Sequence, residues 1–161
     1  MKKVIFLIII IITLVLIVFA IRNLIKKPEI DLKNQENTAY YLSIGSNIFE
    51  VEIANTPQKR AIGLSEKETI NQNEGMLFVF DKSHLPLFWM KDMKFPLDFV
   101  WIKDNEVVQI SENIPVLTNG TISTITPTTE IDSVLEINAG MTKKYNIIIG
   151  DKTSITTRDK E

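Results

Sequence analysis

The stretch DFVWIKDNEVVQIS, residues 98–111, reads as a β-hairpin. With Asp104-Asn105 as a two-residue turn, Lys103 faces Glu106, Trp101 faces Val108 and Phe99 faces Ile110. Asp98, Val100, Ile102, Val107, Gln109 and Ser111 fall on the opposite face. Polar turn residues between two apolar, β-branched and aromatic runs are the signature of antiparallel pairing, so this stretch sets the expectation of a β-rich domain.

Working outward, YYLSIGSNIFEVEI (40–53) predicts a second hairpin. A turn at Ser46-Asn47 pairs Ile44 with Phe49, Leu42 with Val51 and Tyr40 with Ile53, leaving the other face polar. Thr56-Pro57 opens a short helix, a hydroxyl N-cap followed by proline at the first helical position, and Gly63 or a residue soon after ends it. GMLFVFD (75–81) and LFWM (87–90) are the next strands, with DKSHLP (81–86) as the loop between them. Residues 112–133, rich in Thr, Ser, Asn and Pro, read as a long irregular loop, either a mobile flap or a functional edge. SVLEINAG (133–140) gives another strand, followed by a short helix around Met141–Tyr145 and a last strand near Lys152–Thr156. The expected fold class is α+β: a β-rich antiparallel sheet or partly closed barrel over residues 39–161, with one or two short helices.

The amino terminus is of another kind. VIFLIIIIITLVLIVFAI, residues 4–21, carries no charge, and sixteen of its eighteen residues are Val, Ile, Leu or Phe. Its membrane insertion is favoured by roughly 5–10 kcal/mol. Extended to Ile25, a helix spans about 33 Å, enough for a bilayer's hydrocarbon core. Residues 1–27 are therefore expected to be an uncleaved transmembrane signal anchor, with 28–38 as a polar tether. The short amino-terminal tail favours an inside N-terminus and an extracytoplasmic domain. The alternative is secretion after cleavage near Ala20.

Charge follows the same division. Residues 1–27 hold five Lys/Arg and no acid, whereas 28–161 hold 13 Lys/Arg against 20 Asp/Glu. An acidic domain repels phosphate backbones, so no nucleic-acid partner is expected. The absence of cysteine excludes disulfides, thiol nucleophiles and thiolate metal sites. His84, the only histidine, excludes multi-histidine zinc sites and is expected in an exposed loop. No G-x-S-x-G, G-x-G-x-x-G or P-loop occurs, so neither a cofactor nor a metal is implied. Asn119-Gly120-Thr121 matches a glycosylation sequon, a three-residue pattern that arises easily by chance.

FWMKDMKFPLDFVW (88–101) concentrates the remaining candidates. Asp98 begins an apolar strand, which calls for a partner, and Arg60 on the predicted helix is the expected one. Asp92, beside Lys91 and Lys94, reads as a turn residue. Trp89 offers a stacking surface. The candidate binding set is thus Arg60, Trp89, Lys91, Asp92 and Asp98. No catalytic constellation is present.

The succession RAIGLS, EGMLFVF, FWMKDMKFPLDFVWI, VLEINAG and GDK, covering roughly residues 48–157, resembles the family called domain of unknown function 192. The resemblance implies a compact β-rich domain, often secreted or membrane-attached, and brings no reaction or catalytic residue. The chain departs from the family's pattern at Asp92-Met93, where Asn-Thr is usual, and at Ser65, where a Met commonly follows Gly-Leu. The expected function is a membrane-anchored extracytoplasmic module binding a small molecule, glycan or peptide. Two alternatives stand beside it: an envelope hydrolase using Asp98 with Asp92 or Glu136, and an assembly partner of another envelope protein.

Overall fold

The computed structural model describes residues 38–116 and 120–159. The expected anchor (1–27) and residues 28–37 of the tether lie outside the described residues, among which no helix is long and apolar enough to cross a membrane. Among the described residues, nine strands and two short helices follow one another: β1 (Thr38–Ile44), β2 (Asn47–Ala54), α1 (Pro57–Ile62), β3 (Glu74–His84), β4 (Phe88–Trp89), β5 (Leu97–Lys103), β6 (Glu106–Ile114), β7 (Thr124–Ile125), β8 (Ile131–Asn138), α2 (Met141–Lys144) and β9 (Thr153–Asp159). Seven strands form one sheet in the order β6-β5-β8-β3-β2-β1-β9, and β4 and β7 form a separate pair.

Both expected hairpins form, each with a register adjustment. In β1–β2 the turn is Gly45-Ser46, so Ile44 pairs with Asn47, Leu42 with Phe49 and Tyr40 with Val51. Gly45 has φ +55°, and glycine in the first central position suits a turn that matches strand twist. The shift from the expected register is two residues, so Leu42, Ile44, Phe49 and Val51 stay on one buried face. In β5–β6, Asp104 (φ 51°) and Asn105 (φ 60°) both adopt the left-handed conformation that a two-residue turn requires. Lys103 pairs with Glu106 as expected, but a bulge between Trp101 and Ile102 then sets Trp101 opposite Gln109 and Phe99 opposite Ser111. The indole Nε1–H of Trp101 donates to Ser111 Oγ at 3.0 Å, giving the buried ring its polar partner.

The sheet is mixed, mainly antiparallel as expected but with one parallel pair. β2 and β3 run parallel, with Val51 beside Gly75 and Ile53 beside Leu77. Parallel neighbours need a crossover, and the connection containing α1 supplies it. The sheet is not a closed barrel. Its two end strands meet only near the β5–β6 turn, through a bridge between Glu106 and Lys152 and bonds such as Val107 N–H to Asp151 O (2.9 Å).

Strand β5 lies between β6 and β8, and Leu97 through Ile102 are all buried. Alternate residues feed different cores. Phe99 and Trp101 pack with Met76, Phe78 and Val134 on one face. Val100 and Ile102 pack with Leu77, Leu135 and Ile137 on the other, where Phe49 and Leu42 also lie. Within this double burial Asp98 is wholly enclosed. Its Oδ1 accepts from the Asn113 N–H (2.8 Å), and its Oδ2 accepts from the Thr142 N–H (3.0 Å) and hydroxyl (2.7 Å). The carboxylate therefore ties β6 and the start of α2 to the sheet. Asp98→Ala leaves these donors without an acceptor and is expected to cost roughly 3 kcal/mol in chemical denaturation, with Asp98→Asn losing less because one acceptor oxygen survives.

Candidate functional site

Segment α1 is built to sit at the edge of the first core. Thr56 Oγ1 accepts from the Lys59 N–H (3.2 Å), and Gly63, at φ +55°, closes the helix by donating to Lys59 O (2.9 Å). From this helix Arg60 reaches β3, where its Nη1 donates to Val79 O (3.0 Å) and its guanidinium lies over the Phe80 ring at 5.2 Å. The expected Arg60–Asp98 pair is not formed. Asp98 lies on the other face of the sheet and takes only neutral donors, because a one-residue step along β5 reverses the direction of the side chain.

Opposite α1, β3 runs on past its expected end to His84, and the chain returns through Pro86 into β4. Phe88 is the hub of this return. It meets Phe78 (5.0 Å), Trp101 (5.6 Å), Phe99 (5.7 Å) and Phe80 (6.4 Å) edge to face. The supposed loop 112–133 is in part a clamp on β4. Phe88 pairs with Ile125 and Trp89 with Thr124, the Met90 N–H donates to Ser123 O (2.8 Å), and the Thr126 hydroxyl donates to Pro86 O (2.9 Å).

Between α1 and this aromatic return lies a pocket of about 430 Å³. Phe78, Phe80, Phe88, Leu64 and Met93 form its apolar walls, and Arg60, His84, Trp89 and Lys91 also line it. Trp89 is 50% exposed, which leaves it available for stacking. Three members of the expected set, Arg60, Trp89 and Lys91, are thus brought together. Asp92 and Asp98 are not among the lining residues. Asp92 turns outward at φ 60°, within 3.9 Å of Lys91 Nζ and largely exposed.

The carboxyl group that does line the pocket is Glu136, inside β8 and two residues from its end. It stands level with Met76 of β3 and Phe99 of β5 and is only 4% exposed. No described residue donates a hydrogen bond to it, and no fully enclosed polar atom is left unpaired, so its oxygens open onto the pocket space. Loss of hydration raises its pKa from about 4.5 to about 8. The sequence held a signal for this residue. In SVLEIN a charged side chain interrupts an otherwise apolar central strand, where burial on both faces should exclude it. His84 is exposed at the end of β3, edge-on to Phe80 at 4.5 Å. Among the described residues no group of three His, Cys, Asp or Glu side chains is placed to hold a metal ion.

Residues 40–155 match the model of the family DUF192, described as "Uncharacterized ACR". The chain belongs to this family. The crystal structure of a Sinorhizobium meliloti 1021 protein described as a candidate transcription regulator is 30% identical with a TM-score of 0.65. The match covers 73% of this chain and 92% of that one. A protein of unknown function from Novosphingobium aromaticivorans DSM 12444 is 26% identical with a TM-score of 0.66, covering 71% of this chain and 83% of that one. No curated protein matches the chain. Against the DUF192 pattern, position 92 is constrained by its left-handed backbone, which favours Asn or Asp, so Asp there preserves the turn. Met93 is buried and adds a thioether to the pocket wall.

A carboxyl group that stays protonated up to about pH 8 when folded, but ionises near 4.5 when unfolded, makes folding take up a proton in that window. Its contribution to stability is full below the unfolded value and is lost as pH rises toward 8. The stability of wild type relative to Glu136→Gln is therefore expected to fall by ~1.4 kcal/mol per pH unit across that window and to level off above it. Denaturant titrations of both proteins from acid to alkaline pH check the slope, and parallel curves would count against a protonated Glu136.

Proposed function

We propose that this domain is a binding module for a small molecule, held at the membrane's extracytoplasmic face by residues 4–25. The observation that carries the reading is the open pocket between α1 and the aromatic return, with the buried carboxyl group of Glu136 among its lining residues. Its dimensions suit a drug-sized ligand, and its composition, aromatic walls with few polar groups, is that of ligand sites generally. Arg60 and Lys91 offer polar anchoring, and Trp89 offers a stacking face.

The hydrolase alternative lacks its acid–base pair. Asp98 is level with Ile137 and Phe99 is level with Glu136, so the two carboxyl groups project from opposite faces of the sheet. Asp98 accepts three hydrogen bonds within the fold, and Asp92 is turned to solvent. Description as a candidate transcription regulator belongs to the Sinorhizobium protein. Here the excess of 20 Asp/Glu over 13 Lys/Arg in residues 28–161 opposes binding to a phosphate backbone.

Trp89→Ala tests the reading directly. Because the ring is half exposed, the variant is expected to lose less than ~1 kcal/mol of stability. A fragment library examined by ligand-detected NMR on the full-length chain should show hits whose binding weakens in the variant. Hits that bind both proteins equally would remove Trp89 from the site. Hits that perturb no residue of the pocket would remove the site itself.

A further inference from the structure

Glu136 is an unusual floor for such a pocket. Its neighbours across the sheet, Met76 and Phe99, offer it nothing polar. The charged and titratable groups sharing the pocket are Arg60 on α1, His84 at the end of β3 and Lys91 after β4. None of them donates a hydrogen bond to Glu136: Arg60 Nη1 is engaged with Val79 O, and His84 Nδ1 lies 3.1 Å from Lys82 O. A carboxyl group nine-tenths buried, without a protein partner and open to a cavity has its hydrogen-bonding capacity directed at whatever enters.

We infer, building on the small-molecule reading above, that the ligand is an uncharged molecule with an aromatic or apolar body and a carbonyl-type acceptor at its inner end, which takes a hydrogen bond from the Glu136 carboxylic acid. Three features select this class. The apolar walls favour a flat, uncharged body and penalise a buried ion. A cation would pass Arg60 and Lys91 and find one carboxyl group that is itself neutral over most of the physiological range. An anion would find both cations engaged elsewhere, Arg60 on Val79 O and the Phe80 ring and Lys91 exposed beside Asp92, so its charge would lie unpaired at the Glu136 end. The neutral acid has one O–H donor and a free C=O acceptor, so an amide edge, carrying both complements, fits best within the class.

Three probes of matched size separate the possibilities: acetophenone (neutral acceptor), benzyltrimethylammonium (permanent cation) and benzoate (anion). Binding to the full-length chain in zwitterionic nanodiscs is followed by the Trp89 and Trp101 indole resonances at about pH 6.5 and about pH 9.5, either side of the Glu136 ionisation. Acetophenone is expected to bind best and to weaken roughly thirtyfold at the higher pH as the donor proton is lost. In Glu136→Gln the amide N–H replaces the acid, so binding should persist and lose its pH dependence. In Glu136→Leu it should be lost at both values, with the Trp101 resonance reporting that the core stays folded. Preference for the cation, with tighter binding at high pH and loss in Glu136→Gln, would overturn the inference and leave the pocket as a binding site. Equal binding of all three probes would do the same. If no probe shifts either indole at either pH, the small-molecule reading falls, and the inference with it.

Discussion

Six successive residues of β5 are sealed from solvent on both faces of the sheet, so each polar atom among them and their neighbours has to find its partner inside the protein. Two carboxyl groups fall under this constraint and answer it in opposite ways. Asp98 is met by the N–H of Asn113 and by the N–H and hydroxyl of Thr142, and in meeting it those groups anchor β6 and α2. Glu136, one strand away and on the other face, is met by nothing in the described chain. The first carboxyl is architecture. The second is a cost to the fold that only solvent or a ligand in the pocket offsets.

Close packing around β8 makes that cost unavoidable. β3 approaches β8 so tightly at Gly75 that a Cβ there would stand 2.5 Å from the Glu136 carbonyl oxygen and 2.9 Å from Ile137 Cγ2. β5 presses from the other side, with Phe99 stacked on Trp101 at 5.5 Å. The Glu136 side chain therefore has one direction open to it, toward the space beneath α1. That space persists because α1 is held off the sheet by contacts at its ends and flank, chiefly Arg60 to Val79 and Phe80, while none of its own residues is buried.

What the sequence disclosed follows from which physical signals are local. Turn chemistry and alternation carried both hairpins, and the Thr56-Pro57 start fixed α1, because these depend on neighbours along the chain. Register details failed where a single backbone choice decided them: Gly45 took the turn that Ser46-Asn47 was expected to make, and a bulge after Trp101 displaced the partners of Phe99. The parallel β2–β3 pairing and the β4–β7 clamp were not legible, the one because pairing direction depends on the path of a crossover, the other because two-residue strands have no period. Trp89 and Lys91 were singled out by the composition of residues 88–101 and Arg60 as the expected partner of Asp98; all three line one pocket, though the Arg60–Asp98 pair does not form. Asp98 was assigned to the same group because burial was read correctly but the direction of the side chain was not.

The contrast between the two carboxyl groups also shows why buried charge in a sequence is an ambiguous sign. Both Asp98 and Glu136 stand in strongly apolar strands, and from composition alone each asks for a partner. Only the arrangement of donors separates them: Asp98, at the start of β5, has the start of α2 and the left-handed Asn113 near the end of β6 within reach, whereas Glu136, inside β8, is flanked by side chains from other strands and by no free backbone N–H. An acid inside a strand of a doubly covered sheet is thus hard to satisfy from within, and its persistence points outward, to the chemistry of what fills the adjoining space. Exceptions to local consistency of this kind are concentrated at functional sites, which favours the pocket above Glu136 over the charged turn at Asp92 as the candidate site.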